Sequence, residues 1–242
     1  MTEKIDVLVV GAGISGIGAG YHLQNKCPDA NFVILEGRDK IGGTWDLFKY
    51  PGIRSDSDMY TLGYNFKPWK EQEAIADAPS ILKYLGETVE EFNLKDKIRF
   101  GKYVKKANWS STSNSWTVDI EDKKSGDMSQ ISCNFIFMCS GYYSYKEGYT
   151  PKFEGIEDFN GDVIHPQKWD ENFDYSGKKI VVIGSGATAV TIVPEMAKKA
   201  EHVTMLQRSP TYVVAAPEKD KLANSLRDYL PLKLAYWIIR WR

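Results

Sequence analysis

The sequence predicts an α/β fold in which one structural unit, a strand followed by a glycine-rich turn and a helix, occurs twice. A short, β-branched apolar run at residues 5–10 leads into the turn at 11–16, and a helix of small residues follows. Residues 179–183 form a second such run, which leads into the turn at 184–189 and another helix. Because short apolar runs of this kind are typical of strands buried in a parallel sheet, we predict two Rossmann-like dinucleotide-binding domains.

The other elements are predicted from the same patterns. In chain order they are a strand at 31–35, a loop rich in glycine, aspartate and aromatics at 37–69, a helix at 79–92, antiparallel strands within 102–133, a buried strand at 135–139, a linker at 142–174, a helix at 188–199 and a strand at 202–206. The helix at 79–92 has its apolar residues three and four positions apart, which places them on one face. Alternating apolar and polar residues around the turn at 110–115 are typical of a hairpin.

The composition excludes some classes of function. Of the 242 residues, 43% are hydrophobic and 26% are charged, and the formal net charge of −1 gives no general attraction to nucleic acid or acidic lipid. The amino terminus lacks the basic start and apolar run of a signal peptide. The three cysteines have no metal-ligand spacing and are expected to be reduced thiols. We therefore expect a cytoplasmic protein with no nucleic-acid partner and no metal.

The three small residues of each glycine turn have separate purposes. The first glycine allows the tight turn, the second lets the backbone approach a pyrophosphate, and the third lets the helix pack closely on the strand, so that the helix N-terminus faces the phosphates. A structural turn without a ligand is the alternative for either turn alone, but both lie between a strand and a helix, which favours nucleotide binding. The three places are filled by Gly11, Gly13 and Gly16 in the first turn and by Gly184, Gly186 and Ala189 in the second.

The residue that follows each second strand distinguishes the two nucleotides. Glu36 can accept hydrogen bonds from ribose hydroxyls, which suits FAD or NAD, and its charge would repel a 2′-phosphate. The matching place in the second unit holds Gln207 and Arg208, and a guanidinium can pair with a 2′-phosphate. The second site is therefore interpreted as an NADPH site, with a solvated surface charge as the alternative for Arg208. Two dinucleotide sites in one chain indicate electron transfer from a nicotinamide to a flavin.

Three further motifs resemble a known family. Residues 42–45 read Gly-Gly-Thr-Trp, and residues 50–56 read Tyr-Pro-Gly-Ile-Arg-Ser-Asp. Residues 159–169 match the pattern FxGxxxHxxxW, and Asp170 follows. Between two glycine-rich turns, this set is similar to the fingerprint of Baeyer–Villiger monooxygenases, in the flavin-containing monooxygenase superfamily, and the likeness extends over nearly the whole chain. The neighbouring flavin-containing monooxygenases usually end the pattern with another aromatic.

The resemblance implies which residues bind the cofactors. The adenosine-diphosphate half of FAD would be held by Gly11, Gly13, Ser15, Gly16 and Glu36, its flavin side by Thr44, Trp45 and Asp56, and its adenine end by the backbone of Val104. The nicotinamide of NADPH would face Arg54, Ser55 and Asp56, and the rest of NADPH would be held by Gly184, Ser185, Gly186, Ala187, Thr188, Ala189, Gln207 and Arg208. Asp56 is also the candidate catalytic residue. The alternatives are a loop cap for Asp56 and core aromatics for Trp45 and Tyr50. His165 and Trp169 are interpreted as residues that organise the linker, with a direct catalytic role as the alternative for His165.

The implied activity is an FAD-dependent, NADPH-consuming monooxygenation. Such an enzyme inserts one oxygen atom of O2 into a ketone to give an ester or lactone, or oxygenates a thio-compound, through a flavin C4a-peroxide. Its partners would be the small-molecule ketone or thio-compound and O2. A heteroatom-oxygenating flavin monooxygenase and a non-catalytic dinucleotide-binding remnant remain as alternatives.

The resemblance also implies that this chain is truncated at its C-terminus, with the second domain and the return to the first incomplete. We assign residues 1–145 to the FAD-binding domain, 146–175 to the fingerprint linker and 176–242 to the start of the NADPH-binding domain and a helical segment. The arginine that family members place beside the flavin would lie in the missing part, so activity of this chain alone is expected to be impaired.

The last helix is predicted to begin near Pro231 and to need an apolar partner. An orphaned core helix is the favoured interpretation, and membrane association is not expected. The basic residues Lys233, Arg240 and Arg242 leave a membrane-surface helix as the alternative. The sequence does not indicate an oligomeric state. The predicted apolar stripe of this helix comprises Leu230, Leu234, Trp237, Ile238 and Trp241.

Overall fold

A computed structural model describes residues 2–209, 211–214, 217 and 219–241. The chain forms two compact units. The first comprises Met1–Leu47 and Ile81–Ser144, and the second comprises Phe48–Ser80 and Tyr145–Arg242. Residues 48–80 are thus grouped with the C-terminal part of the chain. The domain boundaries predicted from the sequence refer to the complete domains, and they stay a prediction.

The strand–helix–strand order expected of an α/β protein occurs twice, and antiparallel strands lie between the two copies in the sequence. The strands are β1 (Glu3–Val10), β2 (Phe32–Leu35), β3 (Ile98–Arg99), β4 (Lys102–Ser110), β5 (Ser115–Asp122), β6 (Met128–Met138), β7 (Lys179–Ile183) and β8 (His202–Leu206). The helices are α1 (Ile14–Lys26), α2 (Thr44–Leu47), α3 (Met59–Leu62), α4 (Ala78–Glu91), α5 (Ala187–Met196), α6 (Lys221–Tyr229) and α7 (Leu232–Trp241). The repeated strand, glycine turn and helix are confirmed as β1–α1 and β7–α5.

The first unit is built on a six-stranded sheet with the order β3-β2-β1-β6-β5-β4. β1 lies between β2 and β6 and is parallel to both, with Leu8 opposite Val33 and Ile136. Leu8 and the four residues of β2 are buried, because a central parallel strand is covered on both faces. The carboxyl ends of β1 and β2 therefore meet at one edge, where the first glycine turn begins.

The antiparallel strands are confirmed, but the predicted break before residue 135 is wrong. β6 is one continuous strand: its first part is antiparallel to β5, and β1 pairs with it from Ile131 to Met138. The strand does not break at Asn134 because its hydrogen-bonding partners continue on the β1 side. β4 and β5 form the predicted hairpin. Next to its turn, Trp109 and Trp116 are paired across the two strands, and their ring centroids lie 5.3 Å apart.

The second unit contains the parallel pair β7–β8, the helix α5 and the short helices α3, α6 and α7. The predicted stripe of α7 is wrong: Ala235, Tyr236 and Ile239 are buried, while Leu234 and Trp241 are exposed. α7 packs against α3 and α6. Among the described residues, no helix is long and apolar enough to span a membrane. Arg242, one of the basic residues considered for a membrane-surface helix, lies outside the described residues.

Candidate functional site

The first glycine turn can be built only from glycine at two of its positions. Gly11 has a φ of +104°, and a Cβ added there would lie 2.5 Å from the carbonyl oxygen of Cys139. A Cβ at Gly16 would lie 1.8 Å from the carbonyl oxygen of Gly11. The Gly11 amide donates to the carbonyl of Leu35 at 2.7 Å. The turn is therefore fixed between the ends of β1, β2 and β6, and α1 packs closely behind it.

The N-terminus of α1 has the features of a phosphate site. Its N-cap is Gly13, which has no side chain to satisfy the helix amides, and the first turn contains no acidic residue. Ser15 is exposed in that first turn. Because the amides at a helix N-terminus and the helix dipole favour an anion, these residues fit a pyrophosphate.

Glu36 lies at the carboxyl end of β2 and is only 5% exposed. Its Oε2 atom accepts a hydrogen bond from the Ala12 amide at 2.8 Å, and its Oε1 atom accepts one from the Arg38 amide at 2.9 Å. A carboxylate can accept about four hydrogen bonds, so acceptor capacity remains for ribose hydroxyls. The fixed negative charge at this position disfavours a 2′-phosphate.

The guanidinium of Arg38 is not available to a ligand at the first site, because it binds the loop at residues 42–46. The guanidinium donates to the carbonyl oxygens of Gly43 (3.3 Å) and Asp46 (3.4 Å) and forms an ion pair with the Asp46 carboxylate. Asp46 is buried. The sequence interpretation missed this pair, since its residues lie eight positions apart across a loop without periodicity. The pair fastens the loop that carries Thr44 and Trp45.

Thr44 and Trp45 are half-buried residues of the one-turn helix α2, directly after two glycines with positive φ. The Gly42 amide donates to the carbonyl of Ala12 at 3.0 Å, which attaches this loop to the first glycine turn. A Cβ on Gly13 would lie 3.6 Å from the Cα of Gly43, so the two backbones approach closely. The structure thus brings residues 44–45 near residues 11–16 within one unit.

Val104 lies beside a β-bulge near the end of β2. The register between β4 and β5 shifts between Val104 and Lys106, a feature often found next to binding sites. The amide of Lys102 donates to the carbonyl of Glu36 at 2.9 Å. A Cβ on Gly37 would lie 3.0 Å from the ring of Tyr103. The backbone around Val104 is therefore close to Glu36, at the expected adenosine end.

The second glycine turn repeats the geometry of the first. Gly184 has a φ of +129°, and its amide donates to the carbonyl of Leu206 at 2.9 Å, as Gly11 does to Leu35. Gly186 is the N-cap of α5, has no side-chain cap, and has no neighbour within 4 Å of an added Cβ. Ala189 is buried in the third place. Ala187 and Thr188 form the first turn of α5, which contains no acidic residue.

The residues after β8 are linked to the second turn through Ser185. Its hydroxyl donates to the carbonyl of Ser209 at 3.3 Å and accepts from Thr211 at 2.8 Å. The sequence interpretation did not single out Ser209 or Thr211, because neither belongs to a recognisable motif. Gln207 and Arg208 are exposed, and no hydrogen bond or ion pair within the described part of the chain engages the Arg208 guanidinium. Arg208 is thus available to an anion near the turn.

Residues 54–56 belong to the second unit. Ser55 is 2% exposed; its amide donates to the carbonyl of Ala76 (2.8 Å), and its Oγ accepts from the Ala76 amide (3.1 Å). Arg54 and Asp56 are exposed on either side of it. The nearby helix α3 is capped by Asp58, which accepts from the Thr61 amide. This contact favours Asp58 over Asp56 as the cap of the loop.

The linker motif is held by local contacts. His165 Nδ1 accepts from the Gln167 amide at 3.2 Å and so caps the turn at Pro166–Lys168. The ring centroid of Trp169 lies 5.9 Å from that of Phe173 and 6.0 Å from that of Tyr175. These contacts favour the linker-organising interpretation of both motif residues.

The fold and the two turns define an α/β flavoprotein with two Rossmann-like dinucleotide-binding units. Within that class, the chain belongs to the flavin-binding monooxygenase-like family, which it matches over residues 4–223. It is 55% identical to the FAD-containing monooxygenase EthA of Mycobacterium tuberculosis and 53% identical to the probable FAD-binding monooxygenase AlmA of Acinetobacter. Each match covers 100% of this chain and 49% of the relative, so the chain spans about half the length of these curated relatives.

Solved structures agree with this assignment. Cyclohexanone-bound cyclohexanone monooxygenase is similar to the whole chain with a TM-score of 0.81 and 26% identity, over 45% of its own length. An oxidised steroid monooxygenase bound to NADP matches 97% of this chain with a TM-score of 0.78 and 30% identity, over 44% of its own length. The Rossmann-like fold class and the family resemblance are therefore confirmed. The roles of the individual site residues stay predictions.

Proposed function

We propose that the protein containing this chain is an FAD-dependent, NADPH-consuming monooxygenase of the Baeyer–Villiger type. It inserts one oxygen atom of O2 into a ketone to give an ester or lactone, or oxygenates a thio-compound. The observation that carries the proposal is the difference between the two glycine turns. A buried carboxylate, Glu36, follows the first turn. An exposed guanidinium, Arg208, which no other described residue engages, follows the second.

The first site fits FAD. The N-terminal amides of α1 face the position of a pyrophosphate, Glu36 has acceptor capacity for ribose hydroxyls, and the Val104 backbone lies at the adenosine end. Thr44 and Trp45 are held beside the turn by the Gly42 amide and by Arg38. FAD, when bound, supplies the redox chemistry by accepting a hydride and activating oxygen.

The second site fits NADPH. Residues 184–189 present an uncapped helix N-terminus to phosphates, and Gln207 and Arg208 lie at the end of β8, where the 2′-phosphate is expected. Residues 54–56 belong to the same unit, which is consistent with their predicted place at the nicotinamide. Asp56 is the candidate for holding a charge or a proton beside the reacting ring.

The Baeyer–Villiger assignment, as opposed to heteroatom oxygenation, rests on the fingerprint at 159–169 with Asp170. The likeness to cyclohexanone and steroid monooxygenases supports it. We also propose that the protein is cytoplasmic and that it acts on a small-molecule substrate and O2.

Product analysis of the complete protein tests this function. The protein, loaded with FAD, would be supplied with NADPH and ¹⁸O2 in parallel reactions with a cyclic ketone and a dialkyl sulfide. We expect one ¹⁸O atom in a lactone from the ketone, with NADPH consumed in equal amount. Sulfoxide without lactone would assign the protein to the heteroatom-oxygenating class. NADPH consumption that yields only hydrogen peroxide with every substrate would contradict the proposal.

A further inference from the structure

The segment at residues 48–52 lies directly against helix α5, within the second unit. Gly52 has a φ of +74°, and a Cβ added there would lie 3.1 Å from the Cβ and 3.2 Å from the Cγ of Glu195. It would also lie 3.3 Å from the carbonyl oxygen of Thr191. Both the positive φ and the close approach to the helix therefore favour glycine at this position.

Tyr50 makes a second contact between this segment and α5. Its ring lies 6.2 Å, between centroids, from the ring of the buried Phe48. Its hydroxyl lies beside the side chain of Thr188 in the first turn of the helix. The pKa of Tyr50 lies above its usual value, and burial is the main cause. The negative charge of Asp56 also raises this pKa, whereas the contact with Thr188 lowers it. The hydroxyl thus lies near both the phosphate-binding turn and Asp56.

The segment is also held beyond Gly52. The carbonyl of Ile53 accepts from the Ala78 amide at 3.0 Å, and Ser55 exchanges two hydrogen bonds with Ala76. Residues 53–55 are therefore fixed on one side by 76–78, and the preceding three residues are fixed by α5. The exposed side chains of Arg54 and Asp56 project from a short stretch with little freedom.

We propose that Tyr50 and Gly52 are positioning residues that fasten residues 54–56 to helix α5. The phosphate-binding turn at 184–189 and the segment predicted to face the nicotinamide then form one rigid element of the NADPH site. This inference rests on the proposed function for the ligand, but the attachment itself is a property of the free chain. A nucleotide seated on the turn would find residues 54–56 already in place, which lowers the ordering cost of binding.

The attachment can be measured without any nucleotide. In Gly52→Ala, the new Cβ is strained by the positive φ and is also pressed against α5. Gly177→Ala is the control, because Gly177 has a φ of +66° but a Cβ added there has no neighbour within 4 Å, so that only the strain is introduced. Hydrogen exchange of the Ser55 and Ala78 amides should become on the order of tenfold faster in Gly52→Ala, because local opening is facilitated. Gly177→Ala should leave both amides unchanged. Equal rates in the two variants would overturn the attachment.

The affinities for two nucleotides distinguish a failure of this inference from a failure of the proposed function. NADPH engages the whole site, whereas 2′-phospho-ADP-ribose lacks the nicotinamide and reaches only the turn and Arg208. Tyr50→Phe and Gly52→Ala should weaken NADPH binding by roughly 3- to 10-fold, the effect of one lost contact. Their affinity for 2′-phospho-ADP-ribose should stay within about twofold.

Equal loss for both nucleotides would contradict a positioning role and indicate damage to the helix itself. If the complete wild-type protein binds neither nucleotide, the proposed NADPH site fails. The exchange measurement, applied to Tyr50→Phe as well as to Gly52→Ala, still decides whether the two residues fasten the segment.

Discussion

The Glu36 carboxylate accepts a hydrogen bond from the Ala12 amide at 2.8 Å, and this contact joins the end of β2 to the middle of the first glycine turn. The same carboxylate accepts from the Arg38 amide, so it orders the turn on one side and the following loop on the other. Glu36 therefore has a structural purpose in the free chain in addition to its predicted contact with ribose.

Replacement of Glu36 should separate these two purposes. Glu36→Gln keeps an acceptor for the Ala12 amide and should weaken FAD binding with little loss of stability. Glu36→Ala leaves two backbone amides without their partner and should lower the free energy of unfolding by about 1–3 kcal/mol. FAD titration and urea unfolding would measure the two effects. If both variants bind FAD like the wild type, the ribose assignment is wrong.

Arg208 should determine the choice between NADPH and NADH. Removal of a charge-assisted contact with a 2′-phosphate costs about 1.5–3 kcal/mol, so Arg208→Ala should weaken NADPH binding roughly 10- to 100-fold and leave NADH unchanged. Lys179→Ala is a matched control, because Lys179 is an exposed cation at the opposite end of β7. Competition binding with both nucleotides gives the selectivity. A similar effect of both substitutions would show a general charge effect instead of a specific contact.

The Arg38–Asp46 ion pair should matter for FAD as well as for stability. Arg38→Ala removes the guanidinium that pairs with the buried Asp46 carboxylate, and we expect a loss of about 1–3 kcal/mol, reduced because the Arg38 side chain is 25% exposed. FAD affinity should fall with it, since the loop at 42–46 loses its attachment. Lys178→Ala breaks the exposed pair with Asp162 and should change neither quantity measurably. Unchanged unfolding of Arg38→Ala would contradict the structural purpose of the pair.

Asp122 should make the β4–β5 hairpin sensitive to acid. Hydrogen bonds from Lys102 and from the amides of Lys124 and Ser125 lower its pKa from 3.8 to about 2. Because the folded pKa lies below the unfolded one, the contribution to stability is present above about pH 4 and is lost as the pH falls towards 2. Asp122→Asn should therefore flatten the decline of unfolding free energy between these pH values, and Asp127→Asn, in the turn between β5 and β6, is the control. Parallel pH profiles for Asp122→Asn and the wild type would contradict this assignment.

The sequence predicted the parts of the fold that local chemistry dictates. Both glycine turns begin with a glycine of positive φ, and the first also requires close backbone contacts, so their positions and those of the flanking strands and helices could be predicted. The continuous strand β6 could not, because its continuity depends on pairing with β1 and not on its own pattern. The buried face of α7 was predicted wrongly because its partner, α3, is a single turn within a loop that has no periodicity.

The candidate site was predictable to the same extent. Glu36 and Arg208 follow strands at fixed positions, so the motif indicates them. Arg38, Asp46 and Gly52 act through contacts across loops, and no spacing rule relates them to their partners. Tyr50 was identified only as a motif residue or a core aromatic; its contact with Thr188 depends on how residues 48–52 pack on α5.

The 242-residue chain alone should bind FAD more weakly than the complete protein and should associate with itself. On β6, Phe135 and Phe137 are 55% and 45% exposed, and on β7, Val181 and Ile183 are 61% and 57% exposed. Large apolar side chains exposed on strands favour association with other protein surfaces. FAD titration with gel filtration of the chain and of the complete protein, at equal concentration, checks this. Tight, stoichiometric FAD binding by a monodisperse 242-residue chain would show that these surfaces need no cover and that the first site is complete as it stands.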